Sequence, residues 1–248
     1  MRFTTGIMAR PHAAAPPAGR TATSLLDGYS NGFAIVGNTV RIKDSVTAGN
    51  NFNGNVADSP IIDAGTAGEP LIAWDSTDQE YDLVFSSTTR LRIPWASLPS
   101  FANGMTIYYK AKFASVSGSN EPIVYWETTG AGQYSGVGHN MGGYGSGYAG
   151  LLVVGSGGST SALLAQASAI VANTFHKYRA VLKTNDFAMT VNGGSVLTDT
   201  AGAQSAYGTH LDFGWLNFLG IYSTGRIREI VIVPDRAVTN ANLVTWMN

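Results

Sequence analysis

The chain has 248 residues, with 16 acidic and 15 basic side chains, a formal net charge of −1 and a charged fraction of only 12%. Charge this sparse and balanced supplies no electrostatic footprint for nucleic acid or an anionic membrane. The absence of cysteine excludes disulfides and thiolate metal sites, and the length is enough to bury a large core without them.

Residues 1–23 read as an arm. Pro11, Pro16 and Pro17 block helix propagation, and the alanines among them offer little to bury. Composition alone describes an unstructured tail; the alternative is a docking arm that borrows its order from a partner, with Arg2, Phe3, Arg10, Pro11, Pro16 and Pro17 as contacts. The opening has no apolar core of signal-peptide length, so synthesis in a cytoplasm without general secretory export is expected. No apolar run is long enough to span a membrane, and no membrane insertion is expected.

From Ser24 onward the apolar residues fall in short runs between turn clusters. "FAIVGNTVRIK" (33–43) reads as a strand or hairpin before a polar loop. "LIAW", "YDLVF" and "LRIPW" follow between residues 71 and 95. In "MTIYYKAKFAS" (105–115), Thr106, Tyr108, Lys110 and Lys112 alternate with Ile107, Tyr109, Ala111 and Phe113, the period of a half-buried strand. "PIVYWET" (122–128), "YAGLLVVG" (148–155) and "SALLAQAS" (161–168) continue the series, and "GSGGS" (155–159) reads as a hairpin loop. The stretch "HKYRAVLKTNDFAMTVNGGSV" (176–196) is two alternating runs joined by a polar turn. It predicts Tyr178, Ala180 and Leu182 on one face, Arg179, Val181 and Lys183 on the other, and Val191 inside. "LNFLGIYS" (216–223) and "IREIVIVPD" (227–235) close the strand series. The tail "TNANLVTWMN" predicts a short helix capped by Thr239, with Leu243, Val244 and Met247 on one face. The expected fold is therefore all-β, a two-sheet sandwich of roughly a dozen strands.

Three segments carry a resemblance. "FHKYRAVLKTNDFAMTVNGGSV" (175–196) resembles the signature hairpin of laminin-G-like, concanavalin A-like jelly rolls, in which a strand opening on an aromatic and a histidine precedes a tight turn and a second strand ends in Val-Asn-Gly. "LVFSSTTRLRIPWASLPSFANGMTIYYKAKF" (83–113) resembles the family's first core strands, and "GRIREIVIVPDRAVTNANLVTWM" (225–247) its last strand and following helix. Together they span about residues 70–247. The resemblance implies an antiparallel jelly-roll domain over residues 24–248 behind the arm. The Ala/Pro arm followed by "SLLDGYSNGFAIVGNTVRIKDSVT" is similar to the openings of tailed-bacteriophage virion proteins that carry such domains. That implies a non-enzymatic structural protein of a virion, a capsid-decoration, head-fibre or tail-fibre component. It would be held to other capsid or tail proteins through residues 1–23, with self-association left open. The alternative is a lectin-like module that binds host surface glycans.

Relatives of this fold that cleave glucans place carboxylates on one strand in an E-x-D-x-x-E pattern, so that they line one cleft. That spacing is absent here. Asp75, Asp78, Glu80 and Asp82 in "WDSTDQEYD" read as a solvated turn or sheet edge. His12, His139, His176 and His210 have no acid or serine motif beside them, and His176 stands where the family has a packing residue. Asp212 and Asn217 echo a lectin calcium loop but are too few ligands for a hard cation. No catalytic residue, cofactor or metal is expected. The glycine-rich "TTGAGQYSGVGHNMGGYGSGYAG" (128–150) offers Tyr134, His139, Asn140, Tyr144 and Tyr148 as candidate glycan contacts, flat rings with polar tips. The other reading of this segment is a long hairpin connection.

Overall fold

A computed structural model describes residues 33–36, 39–42, 71–75, 77–78, 80–95, 101, 104–115, 121–128, 132–139, 148–154, 160–166, 170–216, 220–234, 236 and 238–246. The arm of residues 1–23, and with it Arg2, Phe3, Arg10, Pro11, Pro16 and Pro17, lies outside them.

The described residues form two antiparallel sheets. The larger contains β1 (Phe33–Val36), β2 (Thr39–Ile42), β3 (Leu71–Asp75), β4 (Glu80–Phe85), β6 (Met105–Phe113), β11 (His176–Leu182), β12 (Phe187–Val191), β13 (Leu197–Asp199) and β17 (Gly225–Pro234). Its strand order is β1-β2-β17-β6-β11-β12-β13, with β4 pairing both β17 and β3. The smaller runs β10 (Thr160–Gln166), β9 (Ala149–Val154), β8 (Gln133–His139), β7 (Glu121–Thr128), β14 (His210–Phe213) and β5 (Leu91–Pro94). A ribbon of β15 (Trp215–Leu216) and β16 (Ile221–Tyr222) completes the strands. This is the expected jelly-roll sandwich. The 33–43 segment is a hairpin, with Val36 opposite Thr39.

The alternating sequences decide which side chains lie between the sheets. Ile107, Tyr109, Ala111 and Phe113 of β6 and Tyr178, Ala180 and Leu182 of β11 meet Trp126, Val137, Leu151, Val153, Leu211 and Phe213 of the opposite sheet. Val191 is in the same core, so the hairpin has the register read from its sequence. Burying each large apolar side chain contributes about 1.5–3 kcal/mol before the entropy of ordering it is subtracted. Asn185 and Asn192 take φ of 58° and 52° and Gly193 takes 74°, which places residues tolerant of the left-handed region at the hairpin's two ends.

One expectation needs correction. β6 is not half-buried along its length, because Thr106 and Tyr108 on its outer face are also buried. The C-terminal segment covers them. Helix α1 (Asn240–Leu243) brings Leu243 onto Val181 and Ala188, with Val196, Val238 and Trp246 around them. Trp246 meets Tyr108 edge-on at 6.5 Å, and Arg179, fully buried, donates from Nε to the Trp246 carbonyl. Val244 is half-buried, Met247 lies outside the described residues, and Trp246 supplies the large apolar contact of the tail.

Thr239 caps the helix as predicted, its Oγ1 accepting from the Asn242 amide at 3.3 Å. Thr239→Ala is expected to cost about 1 kcal/mol, read as a melting temperature lowered by about 2–4 °C. Thr239→Ser should restore most of the loss.

Candidate functional site

Of the acidic residues of "WDSTDQEYD", expected on a solvated turn or sheet edge, Asp78 is exposed in the turn between β3 and β4, whereas Asp75 and Asp82 are buried. Ile227, Ala111, Phe113 and Phe85 face the core, so their neighbours Arg226, Arg228, Lys112 and Asp82 face the outer side of the larger sheet. There Arg228, only 3% exposed, donates from Nε to Asp82 at 2.7 Å, from Nη1 to Asp78 at 2.7 Å and from Nη2 to Asp75 at 3.4 Å. Lys112 Nζ reaches Asp75 at 2.7 Å, and Arg226 reaches Asp82 at 3.4 Å. The Phe175 ring lies over the Arg228 guanidinium at 3.7 Å.

Burial pushes the Asp75 carboxyl up, but the Lys112 ammonium and the Thr77 and Asp78 amides outweigh it and hold it at about 2. For Asp82, burial prevails over Arg228 and raises the carboxyl above its ordinary value. Asp75 and Asp82 are buried under their cations rather than open to a cleft. Among the described residues, Asp75, Asp78 and Asp82 form an ion network around Arg228.

Of the predicted tyrosine-rich surface, the described members Tyr134, His139 and Tyr148 do not share one patch. Tyr134 lies at one end of β8, opposite Val154, where its ring packs 5.3 Å from Tyr125. Tyr148 precedes Ala149 at the other end of the sheet. At 3.3 Å per strand residue the two stand about 20 Å apart. His139 points inward, 1% exposed and stacked on Phe113 at 5.0 Å, so it belongs to the core and not to an accessible surface. Asn140 and Tyr144 lie outside the described residues.

The other sequence candidates are also accounted for. His176 is buried and ties two loops, accepting the Val171 amide at 2.9 Å on Nε2 and meeting the Asn192 carboxamide at 2.7 Å through Nδ1. Asp212 accepts from Arg92 at 3.1 Å, while Asn217 is outside the described residues. No group of three or more His, Asp or Glu that could hold a metal occurs among the described residues.

Among the described residues a hollow lies at the end of the sandwich where β6 begins and β11 turns into β12. Gly104, Lys183, Thr184, Gln204, Ser205, Ala206 and Tyr207 line a cavity of about 350 Å³ that opens to solvent. Three loops build it. The Gly104 amide bonds to Phe101 O at 2.8 Å, the Asn185 amide to Gly202 O at 2.9 Å, and the Gln204 amide to Thr184 Oγ1 at 3.1 Å. Ser205 is pinned to the smaller sheet through Ser135.

Tyr207 forms the apolar wall. It rests 4.3 Å from Trp95 and 5.8 Å from Trp126, with Phe101 edge-on to Trp95 at 5.7 Å. Its hydroxyl donates to Phe101 O and accepts from Gln204 Nε2 at 2.8 Å. Burial raises that phenol to about 12, so it stays protonated. None of the lining residues is a carboxylic acid; the hollow offers hydroxyls, an amide, an ammonium and a ring face.

Sequence reasoning missed this site because its lining comes from three separated loops, none with a short-range motif. The one available signal was polar hairpin turns facing an aromatic-rich core, which marks no single residue.

No family model matches the chain, and no curated protein matches it in sequence. Solved structures match by fold. Domain 4 of an extracellular arabinanase from Geobacillus stearothermophilus, in complex with arabinotriose, superimposes with a TM-score of 0.53 at 13% identity, covering 74% of this chain and 85% of that one. The binding domain of botulinum neurotoxin DC, in complex with SialylT, has a TM-score of 0.50 at 10% identity over 75% of this chain and 47% of that one. Domains LG4-5 of the mouse laminin α1 chain give a TM-score of 0.44 at 13% identity, over 59% and 39%. At these identities the likeness is one of fold alone, a jelly-roll sandwich.

Proposed function

We propose that the chain is a carbohydrate-binding module whose site is the hollow between Gly104, Lys183–Thr184 and Gln204–Tyr207. The observation that carries this reading is the composition of the hollow. Hydroxyl and amide groups on fixed backbone stand beside a tyrosine seated on two tryptophans, with no acid among the lining residues. Such a surface can pair with sugar hydroxyls and pack against a ring while lacking the carboxylate pair that glycoside cleavage requires. The volume is at the small end of small-molecule sites and suits a short saccharide. In further support, two structures that match at a TM-score of 0.50 or above were solved in complex with arabinotriose and SialylT.

Titration of the full chain against a glycan array, followed by calorimetry on the hits, tests the reading. Gln204→Ala should weaken binding about tenfold, or roughly 1.4 kcal/mol, at an unchanged melting temperature. An array with no hits, or hits indifferent to both Gln204→Ala and Tyr207→Ala, would sink it.

Carriage of this module on a bacteriophage virion, docked through residues 1–23, rests on the opening segment of the sequence. Deleting residues 1–23 should then abolish attachment to particles while leaving the sandwich folded.

A further inference from the structure

We propose that Ser161 and Ser135, which lie outside the hollow, are positioning residues for the saccharide: their hydroxyls fix the backbone that carries Gln204 and Tyr207. This rests on the carbohydrate-binding reading and names what keeps that site in shape. Gln204, Ser205, Ala206 and Tyr207 are four of the seven residues lining the cavity. They belong to residues 200–208, which take no regular secondary structure. Such a segment has no ladder to satisfy its amides and carbonyls, so other groups must meet them.

The partners come mostly from side chains of the sandwich, one residue after another. The Ser161 hydroxyl accepts from the Ala203 amide at 2.8 Å and donates to the Ala203 carbonyl at 3.1 Å. Thr184 Oγ1 accepts from the Gln204 amide at 3.1 Å. Ser135 Oγ accepts from the Ser205 amide at 3.2 Å, and the Trp126 indole donates to the Ser205 carbonyl at 3.4 Å. The Asn185 amide donates to the Gly202 carbonyl at 2.9 Å. Strands β7, β8 and β10 and the turn between β11 and β12 thus grip consecutive residues of the wall.

Two departures from regular structure sit at the Ser161 contact. Strand β10 bulges there: Thr160 lies opposite Val154 and Ala162 opposite Val153, so Ser161 has no residue opposite it. A bulge bends its strand and re-aims a side chain, here toward residue 203. Gly202 takes a φ of 100°, and a Cβ on it would fall 2.2 Å from the Ser161 carbonyl oxygen. Only glycine lets the segment come close enough for the two bonds of the serine hydroxyl. Bulge, glycine and hydroxyl serve one contact, and Gln204 follows it directly in the chain. A wall held in place before the ligand arrives spares binding the cost of ordering it.

The test measures amide hydrogen exchange and saccharide affinity on the intact chain, with arabinotriose, sialyllactose and the glycan-array hits as probes. In Ser161→Ala the amides of residues 203–205 should exchange about tenfold faster, while those of β6 and β11 keep their protection. Affinity for the bound probe should fall about tenfold. Ser161→Thr, which keeps the hydroxyl, should restore both, and Ser135→Ala should act in the same direction as Ser161→Ala. Melting curves check folding; Ser161 is only half-buried, so its variants decide the matter should Ser135→Ala unfold. Thr89→Ala is the control. It removes a hydroxyl that accepts from the Ser86 amide at 2.8 Å in a turn at the other end of the sandwich, beside the pairing of Phe85 with Gly225 and of Gly225 with Phe113. Its affinity should be unchanged. Unaltered exchange in Ser161→Ala, or faster exchange with undiminished affinity, overturns the proposal and leaves the carbohydrate reading standing. So does an equal loss of affinity in Thr89→Ala, which would mark general destabilisation. Failure of the unsubstituted chain to bind any of the probes overturns both.

Discussion

Replacing Arg228 with alanine is expected to destabilise the domain by about 3–5 kcal/mol, a fall in melting temperature of roughly 10 °C or more. The reason is what the substitution leaves behind. Asp82 is fully buried and would keep only Arg226, at 3.4 Å. Asp75 would keep Lys112 but lose its second cation, and Phe175 would lose the guanidinium beneath its ring. The dominant cost is a buried carboxylate with too little compensation rather than the loss of any one contact. Combining Asp82→Asn with Arg228→Met should therefore recover a large share of the loss, since the isolated charge is removed with its partner. Urea denaturation of the single and double variants checks both statements. A single-variant cost below 1 kcal/mol would show that the network contributes no more than an exposed ion pair.

Acid should act through a different group. Burial holds the His139 imidazole down to about 4, and neither ring nitrogen has a hydrogen-bond partner among the described residues. In the unfolded chain the same ring titrates near 6.5. Between those values the unfolded state binds a proton that the folded state refuses. The stability His139 contributes is thus fully present above pH 6.5 and is lost as pH falls to 4, by about 3 kcal/mol. Burial also lowers His176, which adds to the slope with the same sign. Asp75 acts lower on the scale: its stabilisation is present above the ordinary carboxylate value and lost as pH falls through about 2. His139→Leu should flatten the dependence of unfolding free energy on pH between 4 and 6.5, down to the part His176 supplies. An unchanged slope in that variant would refute the assignment.

These two sites divide what could and could not be read in the sequence. The hairpin of residues 176–191 was legible because a strict period of two, with Tyr178, Ala180 and Leu182 in phase, fixes which face is buried. The Arg228 network was not, because the arginine and its aspartates are about 150 residues apart and meet only through strand pairing. A bulge between Ile227 and Glu229 also breaks the alternation of β17, so that Ile227 and Ile230 both point inward. The three-residue gap between those isoleucines was the visible trace of that bulge, and it leaves Arg228 on the outer side. His139 was read as a surface residue because glycines and tyrosines surround it in sequence, whereas the phase of Val137 in β8 carries it into the core. The hollow at the sandwich end was the least legible feature, since loops brought together by tertiary packing leave no periodic signal.

Strand β17 has a consequence for how the chain is made. Among the described strands of the larger sheet it is the last to be synthesised, yet it lies in the middle, with β2 and β4 on one side and β6 on the other. Until residues 225–234 emerge, the edges of β2, β4 and β6 that will receive it have no native partner. A ribosome carrying the first nine-tenths of this sequence therefore holds open strand edges rather than a finished half-domain. Such edges are templates for unwanted pairing, and a sheet that closes on its last strand folds slowly for its size. Pauses in translation before residues 225–234 emerge, or a shortage of chaperones that shield nascent strands, should lower the soluble yield of this domain more than that of a helical one of equal length.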